Sequence, residues 1–87
     1  MRELHLYSED KKLLSIRPTF PGLESPFKTA REHHGYAVVA TEKTINWRQC
    51  IYLWELVFYH NGDIIDNVSG VKGELVDETI SQKLSEL

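Results

Sequence analysis

The sequence predicts an α+β domain with an antiparallel sheet of about five strands (two hairpins plus one strand) and two helices, in the order β-β-α-β-β-β-α. Three observations lead to this prediction. Short runs of alternating apolar and polar residues are typical of strands, an Asn-Gly pair at 61–62 is typical of a tight hairpin, and apolar residues recur at helical spacing near the carboxyl end. A chain of 87 residues is expected to fold as a single domain, 1–87.

The first hairpin is predicted from Glu3–Tyr7 and Lys12–Arg17, in which leucine and isoleucine alternate with other residues. Ser8–Lys11 would form its turn, although this segment lacks the glycine that the tightest turns prefer. The two strands are therefore expected to pair, with a register that the turn alone does not define.

A first helix is predicted over about residues 26–34. Ser25 followed by proline matches the preferred start of a helix, and Gly35 matches the residue preferred just after its end. Tyr36–Thr41 then predicts a strand, and its small residues on both faces indicate a central position in the sheet. Glu42–Asn46 is expected to be a polar connection.

The main hairpin is predicted within Trp47–Gly70, which holds both tryptophans and the longest apolar run. Asn61-Gly62 favours a type I′ turn, because both of its central residues need a positive φ. Counting outward from a two-residue loop gives the expected register. The predicted pairs are His60 with Asp63, Tyr59 with Ile64, Phe58 with Ile65, Val57 with Asp66, and Glu55 with Val68.

The two faces of this hairpin differ in polarity. One face is almost wholly apolar and is the predicted core face: it carries Tyr52, Trp54, Leu56, Phe58 and Ile65. The other face mixes apolar residues with two acids, and its candidate protein-binding residues are Glu55, Val57, Tyr59, Ile64 and Asp66. Apolar residues on a second face indicate a second covering element, a self-association surface that would make a homodimer, or a partner site.

A final helix is predicted from about Glu74 or Asp77 to the end of the chain. Its apolar residues recur at i, i+4, i+8 and i+11: Val76, Ile80, Leu84 and Leu87. Acidic residues at its start suit the positive end of the helix dipole. We expect this helix to pack on the core face.

The composition limits the classes of protein to which the chain can belong. The chain has an ordinary apolar content of 41% and a single cysteine, Cys50, which cannot form an internal disulfide. It has no apolar run long enough to cross a bilayer and no signal-like amino terminus. These features predict a cytoplasmic protein that does not associate with membranes.

No constellation for catalysis, metal binding or a cofactor is apparent. His33 and His34 are adjacent, whereas His5, Cys50 and His60 are isolated, so no pair has the spacing of zinc ligands. The paired histidines suit the end of a helix, and Cys50 is expected to be a buried, inert thiol. The sequence therefore predicts no enzyme activity, no cofactor and no metal.

Charge is distributed unevenly along the chain. Residues 1–48 hold 8 Lys/Arg and 6 Asp/Glu, whereas residues 49–87 hold 2 and 7. Lys43, Trp47 and Arg48 are candidate nucleic-acid-binding residues in the more basic half, because basic residues beside aromatics suit single strands. The net charge of −3 makes nucleic acid a less favoured partner.

Together these patterns predict a small cytoplasmic protein-binding or inhibitory domain without catalytic activity, of the kind found among immunity proteins, antitoxins and phage-encoded modulators. Its protein partner is not identified by the sequence. The alternative prediction is a nucleic-acid-binding domain that uses the basic amino-terminal half.

Overall fold

A computed structural model describes residues 2–19 and 35–87, which are mostly sheet. The strands are β1 (Arg2–Tyr7), β2 (Leu13–Pro18), β3 (Tyr36–Asn46), β4 (Ile51–His60) and β5 (Asp63–Val71). A 3₁₀ turn (Gly73–Leu75) leads into helix α1 (Val76–Ser85) at the carboxyl end. All neighbouring strands are antiparallel, in the order β2-β1-β3-β4-β5.

The predicted antiparallel sheet of five strands is confirmed, and so is the carboxyl-terminal helix. The described residues contain one α-helix, so the predicted pair of helices is not found there. The helix predicted over residues 26–34 lies outside the described residues. The prediction of a polar connection at Glu42–Asn46 is wrong, because β3 continues through these residues and pairs with β4.

Two predicted turns are present. Asn61 and Gly62 have φ values of 51° and 87°, as a type I′ turn requires. In the first hairpin, the Lys11 N–H donates to the Ser8 carbonyl at 2.9 Å, and Lys11 supplies the positive φ of 65° that glycine would otherwise provide. Each turn therefore joins its strands at the predicted place in the chain.

The register of the main hairpin is right only next to its turn. His60 faces Asp63 and Tyr59 faces Ile64, as predicted. The remaining predicted pairs are wrong, since the observed pairs are Phe58 with Asp66, Val57 with Asn67, and Leu56 with Val68. Ile65 is an extra residue on β5, a bulge that shifts every later residue of that strand.

One core lies between α1 and the sheet. The buried residues of this core are Val38, Ala40, Leu56, Phe58, Val71, Val76, Ile80 and Leu84. Three of the four apolar residues of the predicted helix stripe are among them, whereas Leu87 is 46% exposed. Tyr52 and Ile65, predicted for this core, are exposed instead, at 46% and 39%. The helix therefore packs on the predicted face but covers less of it.

A second core lies on the opposite face of the sheet, because successive residues of a strand point to opposite sides. Its buried residues are Leu4, Leu6, Ala37, Val39 and Tyr59, and Val57 packs against them. The middle of β3 is thus buried on both faces, which confirms its central position. On the second face, the apolar residues of β1 and β3 are therefore buried in a core and do not form an open surface.

Candidate functional site

The five residues predicted to bind a partner do not form one surface. Tyr59 is buried at 9% exposure and Val57 is half-buried in the second core, whereas Ile64 is 59% exposed. Asp66 lies on the other face, because the bulge at Ile65 places it opposite Phe58. Glu55 and Asp66, both predicted on the second face, therefore lie on opposite faces of the sheet.

Each of these two carboxylates has its own cation. The Glu55 carboxylate accepts from Lys43 Nζ at 3.2 Å, and Lys83 Nζ lies 3.3 Å from the Asp66 carboxylate. The Asn67 backbone N–H donates to Asp66 at 2.8 Å. That hydrogen bond and, to a smaller extent, the contact with Lys83 lower the pKa of Asp66. Both carboxylates therefore belong to local ion pairs.

The structure reveals a different candidate site, a β-ribbon that extends beyond the sheet. Pairing of β3 with β1 ends at Thr41, and pairing of β4 with β5 starts at Trp54. Within the described chain, residues 42–53 are thus held in the ladder only by pairing between β3 and β4. We call residues 42–53 the hairpin arm. Its strands are long enough to project by roughly 15 Å.

The tip of the hairpin arm is a closed turn at residues 47–50. The Asn46 side-chain oxygen accepts hydrogen bonds from the backbone N–H groups of Arg48, at 3.1 Å, and Gln49, at 3.3 Å. Cys50 adopts a φ of 53°, and its N–H donates to the Trp47 carbonyl at 3.4 Å. This turn fixes the direction in which the Trp47 side chain leaves the backbone.

Large apolar side chains are concentrated on the hairpin arm and open to solvent. Trp47 is 72% exposed and Ile45 is 62% exposed; Tyr52 and Ile51 follow at 46% and 39%. The Arg48 guanidinium lies 5.4 Å from the centroid of the Trp47 ring, within the range of a cation–π contact. The tip therefore presents an aromatic ring, an arginine and aliphatic residues together.

Two of the three candidate nucleic-acid-binding residues, Trp47 and Arg48, are adjacent at this tip. The third, Lys43, lies near the base of the arm and is paired with Glu55. The arm carries Lys43, Arg48 and one acid, Glu42, so it has no continuous basic stripe. The sequence pattern identified Trp47 as a candidate residue. Tyr52, however, was predicted to lie in the core, so the exposure of the whole arm was not predicted.

The groups considered for metal or nucleophilic chemistry are dispersed. Within the described part of the chain, no three His, Cys, Asp or Glu side chains are grouped closely enough to hold a metal ion. Cys50 is exposed, so its predicted burial is wrong, because the tight turn turns its side chain toward solvent. His60 stacks on Tyr36, with 4.3 Å between the ring centroids. His33 and His34 lie outside the described residues.

The chain matches no protein-family model, no curated protein and no solved structure. The helices within the described residues are too short or too polar to span a bilayer.

Proposed function

We propose that this chain is a small protein-binding domain that engages its partner through the tip of the hairpin arm. The observation that carries the proposal is the 72% exposure of Trp47 on a ribbon that projects from the sheet. Tryptophan, tyrosine and arginine are the residue types that contribute most binding energy at protein interfaces. The arm places all three within residues 47–52.

The form of the arm supports this proposal. An exposed tryptophan of a folded monomer leaves a large apolar surface in water, and grouping it with Ile45, Ile51 and Tyr52 enlarges that surface. A pocket on a partner would desolvate these side chains together. Because the turn at 47–50 is already hydrogen-bonded, less conformational entropy would be lost on binding.

The wider proposal is a cytoplasmic inhibitory or regulatory role without catalysis. The acidic carboxyl-terminal half would favour a basic partner and speed its association at low salt. Homodimerisation through the arm is the rival within the same class. Nucleic-acid binding through Lys43, Trp47 and Arg48 is the rival from another class, and the net charge of −3 disfavours it.

Site-specific photo-crosslinking in the native host tests the proposal. The photoreactive residue p-benzoylphenylalanine replaces Trp47 in one variant and Ile64 in the matched control, which is similarly exposed at 59% but lies away from the arm. We expect the Trp47 variant to form an adduct with one protein that survives nuclease, and the Ile64 variant to form none. Trp47→Ala should then weaken binding of that protein by about tenfold or more.

The same experiment separates the rivals. Adducts that are lost on nuclease treatment would favour the nucleic-acid function, and an adduct of twice the chain mass would favour a homodimer. Adducts formed at Ile64 but not at Trp47 would place the partner-binding site on the second face of the sheet, as the sequence predicted. Because Trp47 is exposed, Trp47→Ala should change the free energy of unfolding by only about 0.5 kcal/mol, so lost binding would not reflect unfolding.

A further inference from the structure

The Asn61-Gly62 pair in the turn between β4 and β5 is chemically reactive. The backbone nitrogen that follows an asparagine can attack the side-chain amide, and glycine hinders this attack least because it has no Cβ. The sequence has three asparagines, and only Asn61 precedes a glycine; the other two precede the bulky residues Trp47 and Val68. The other two asparagines therefore serve as internal references for Asn61.

The folded turn holds the two reacting groups apart. With φ values of 51° and 87°, Asn61 and Gly62 form a type I′ turn, whose first central residue has a ψ of about 30°. At this ψ the Gly62 nitrogen lies nearly opposite the Asn61 Cβ across the Cα–C bond, so it points away from the amide that it would attack. Gly62 is also buried, although Asn61 is exposed. Attack therefore requires the turn to open and the Asn61 backbone to rotate.

His60 restrains the amide group itself. Its Nδ1 atom lies 3.2 Å from the Gly35 carbonyl oxygen, which can only accept, so Nδ1 carries the proton in the neutral ring. Nε2 is then the acceptor, and the Asn61 side-chain amide donates to it at 3.4 Å. Stacking on Tyr36, with 4.3 Å between the ring centroids, holds the imidazole in place. The imidazole thus retains the amide in its folded orientation.

We propose that Asn61 is a site of spontaneous deamidation and that opening of the β4–β5 turn controls its rate. In the open turn, the Gly62 nitrogen bonds to the Asn61 side-chain carbon Cγ, and the bond from Cγ to Nδ2 breaks. Nδ2 leaves as ammonia, with the proton that the Gly62 N–H gives up. Water then hydrolyses the cyclic imide at either carbonyl, which leaves aspartate or isoaspartate at position 61.

The isoaspartate product cannot re-form the same turn. Its backbone runs through the former side chain and is longer by one carbon, whereas a type I′ turn fits only a backbone of normal length. The pairs His60 with Asp63 and Tyr59 with Ile64 lie directly beside this turn. Because Tyr59 is buried in the second core, loss of these pairs weakens packing as well. Deamidation therefore marks irreversibly those chains whose turn has opened.

The test follows deamidation of the whole chain by peptide mapping and mass spectrometry. Folded chain in buffer is compared with chain unfolded in guanidinium chloride at the same pH and temperature, and fragmentation distinguishes aspartate from isoaspartate. In the unfolded chain, we expect both products at Asn61 and far less of either at Asn46 and Asn67, since bulky residues follow them. In the folded chain, Asn61 should react at least about tenfold more slowly, because only the open fraction reacts.

Two variants test the restraint by His60. His60→Phe keeps a ring for stacking on Tyr36 but has no acceptor for the Asn61 amide. In the folded state it should deamidate about threefold faster than the wild type, the equilibrium value of a weak hydrogen bond. Hydrogen exchange of the amides that flank the turn should rise by the same factor, because both rates follow the open population. Tyr36→Phe keeps the stacked ring and His60, so it should leave both rates unchanged.

Each outcome supports or overturns the proposal. Slow reaction in the folded chain, at a rate that follows hydrogen exchange across the variants, supports it. Equal rates in folded and unfolded chains, or a faster reaction in the folded chain, would overturn control by the turn. Absence of product at Asn61 in the unfolded chain would overturn the site itself, and an unchanged rate in His60→Phe would overturn the role of His60. None of these results depends on the hairpin arm.

Discussion

Tyr7 shows how the burial of one side chain makes the stability of the folded chain depend on pH. Burial, and to a smaller extent the Asp77 carboxylate, raises the pKa of Tyr7 from 10.0 to about 12. The same phenol in an unfolded chain has a pKa of about 10. Between these two values the unfolded state loses the proton while the folded state keeps it. The free energy of unfolding must therefore fall as pH rises through this interval.

The prediction at the residue scale concerns Tyr7→Phe. The wild-type free energy of unfolding should fall more steeply than that of the variant between about pH 10 and about 12, because only the wild type has this phenol to ionise. Urea unfolding at a series of pH values measures both curves. Parallel curves would show that the Tyr7 phenol titrates alike in both states and would contradict the assignment.

Some residue-scale features could be predicted from the sequence, because local backbone chemistry determines them. Asn61 and Gly62 tolerate the positive φ of a type I′ turn, so their turn was predictable. The backbone conformation of Cys50 was not predictable, because few non-glycine residues adopt a φ of 53°. No local sequence pattern identifies which non-glycine residue adopts it. The exposure of Cys50 follows from the turn that Asn46 closes.

At the scale of the element, β5 is shaped by two irregularities. After the bulge at Ile65, a second shift lies between the pairs Leu56–Val68 and Trp54–Val71. Gly70 lies within this second bulge and has a φ of 72°. The extra residue brings Val71 opposite Trp54, where its side chain is buried in the core under α1. The second bulge therefore connects strand pairing to packing of the helix.

Substitution of Gly70 tests this role. A Cβ at this position would meet nothing within 4 Å, so Gly70→Ala should destabilise only through the backbone, by about 1 kcal/mol. Gly70→Asn should lower the free energy of unfolding less, since asparagine tolerates positive φ better. Denaturant titration measures both, with exposed Ser69→Ala as the control. If alanine and glycine were equally stable here, the positive φ would not be needed.

The register error in the main hairpin has a physical cause. Ile64 and Ile65 are identical residues with identical strand propensity, so the sequence does not show which of them is the extra one. Counting from the turn is valid only up to the first bulge. Asp66, the candidate site residue that follows the bulge, was therefore assigned to the wrong face.

The exposure of the hairpin arm was not predicted, for a related reason. Ile51, Tyr52 and Leu53 have the apolar pattern of a buried strand, yet β1 and β5 end before they can flank these residues. Strand length is set by residue preference, whereas burial is set by how far neighbouring elements extend. The sequence could predict a strand here but not its exposure.

At the scale of the whole molecule, some paired strands are neighbours in the sequence and others are far apart in it. Short turns join β3, β4 and β5, whereas β1 pairs with β3 from the far side of the intervening chain, with Tyr7 opposite Tyr36. Closing that longer loop loses more chain entropy before any contact compensates for it. We therefore expect the β3–β5 part to order first and β1 to join it later.

Folding kinetics of two core variants test this order. Leu56→Ala in β4 and Leu6→Ala in β1 both remove buried leucines, at 0% and 4% exposure, and each should cost about 2–5 kcal/mol. The φ-value from stopped-flow measurements should be higher for Leu56, whose contacts form earlier, than for Leu6. An equal or higher value at Leu6 would show that β1 pairs before the transition state.

The position of Cys50 on the whole molecule has a practical consequence. It is the only cysteine of the sequence, it is exposed, and it lies in the turn at the tip of the hairpin arm. A thiol-reactive fluorophore would therefore label the native chain at one place without any prior mutation. The label would sit three residues from Trp47, so the unaltered sequence already carries an attachment point for an optical sensor of arm occupancy.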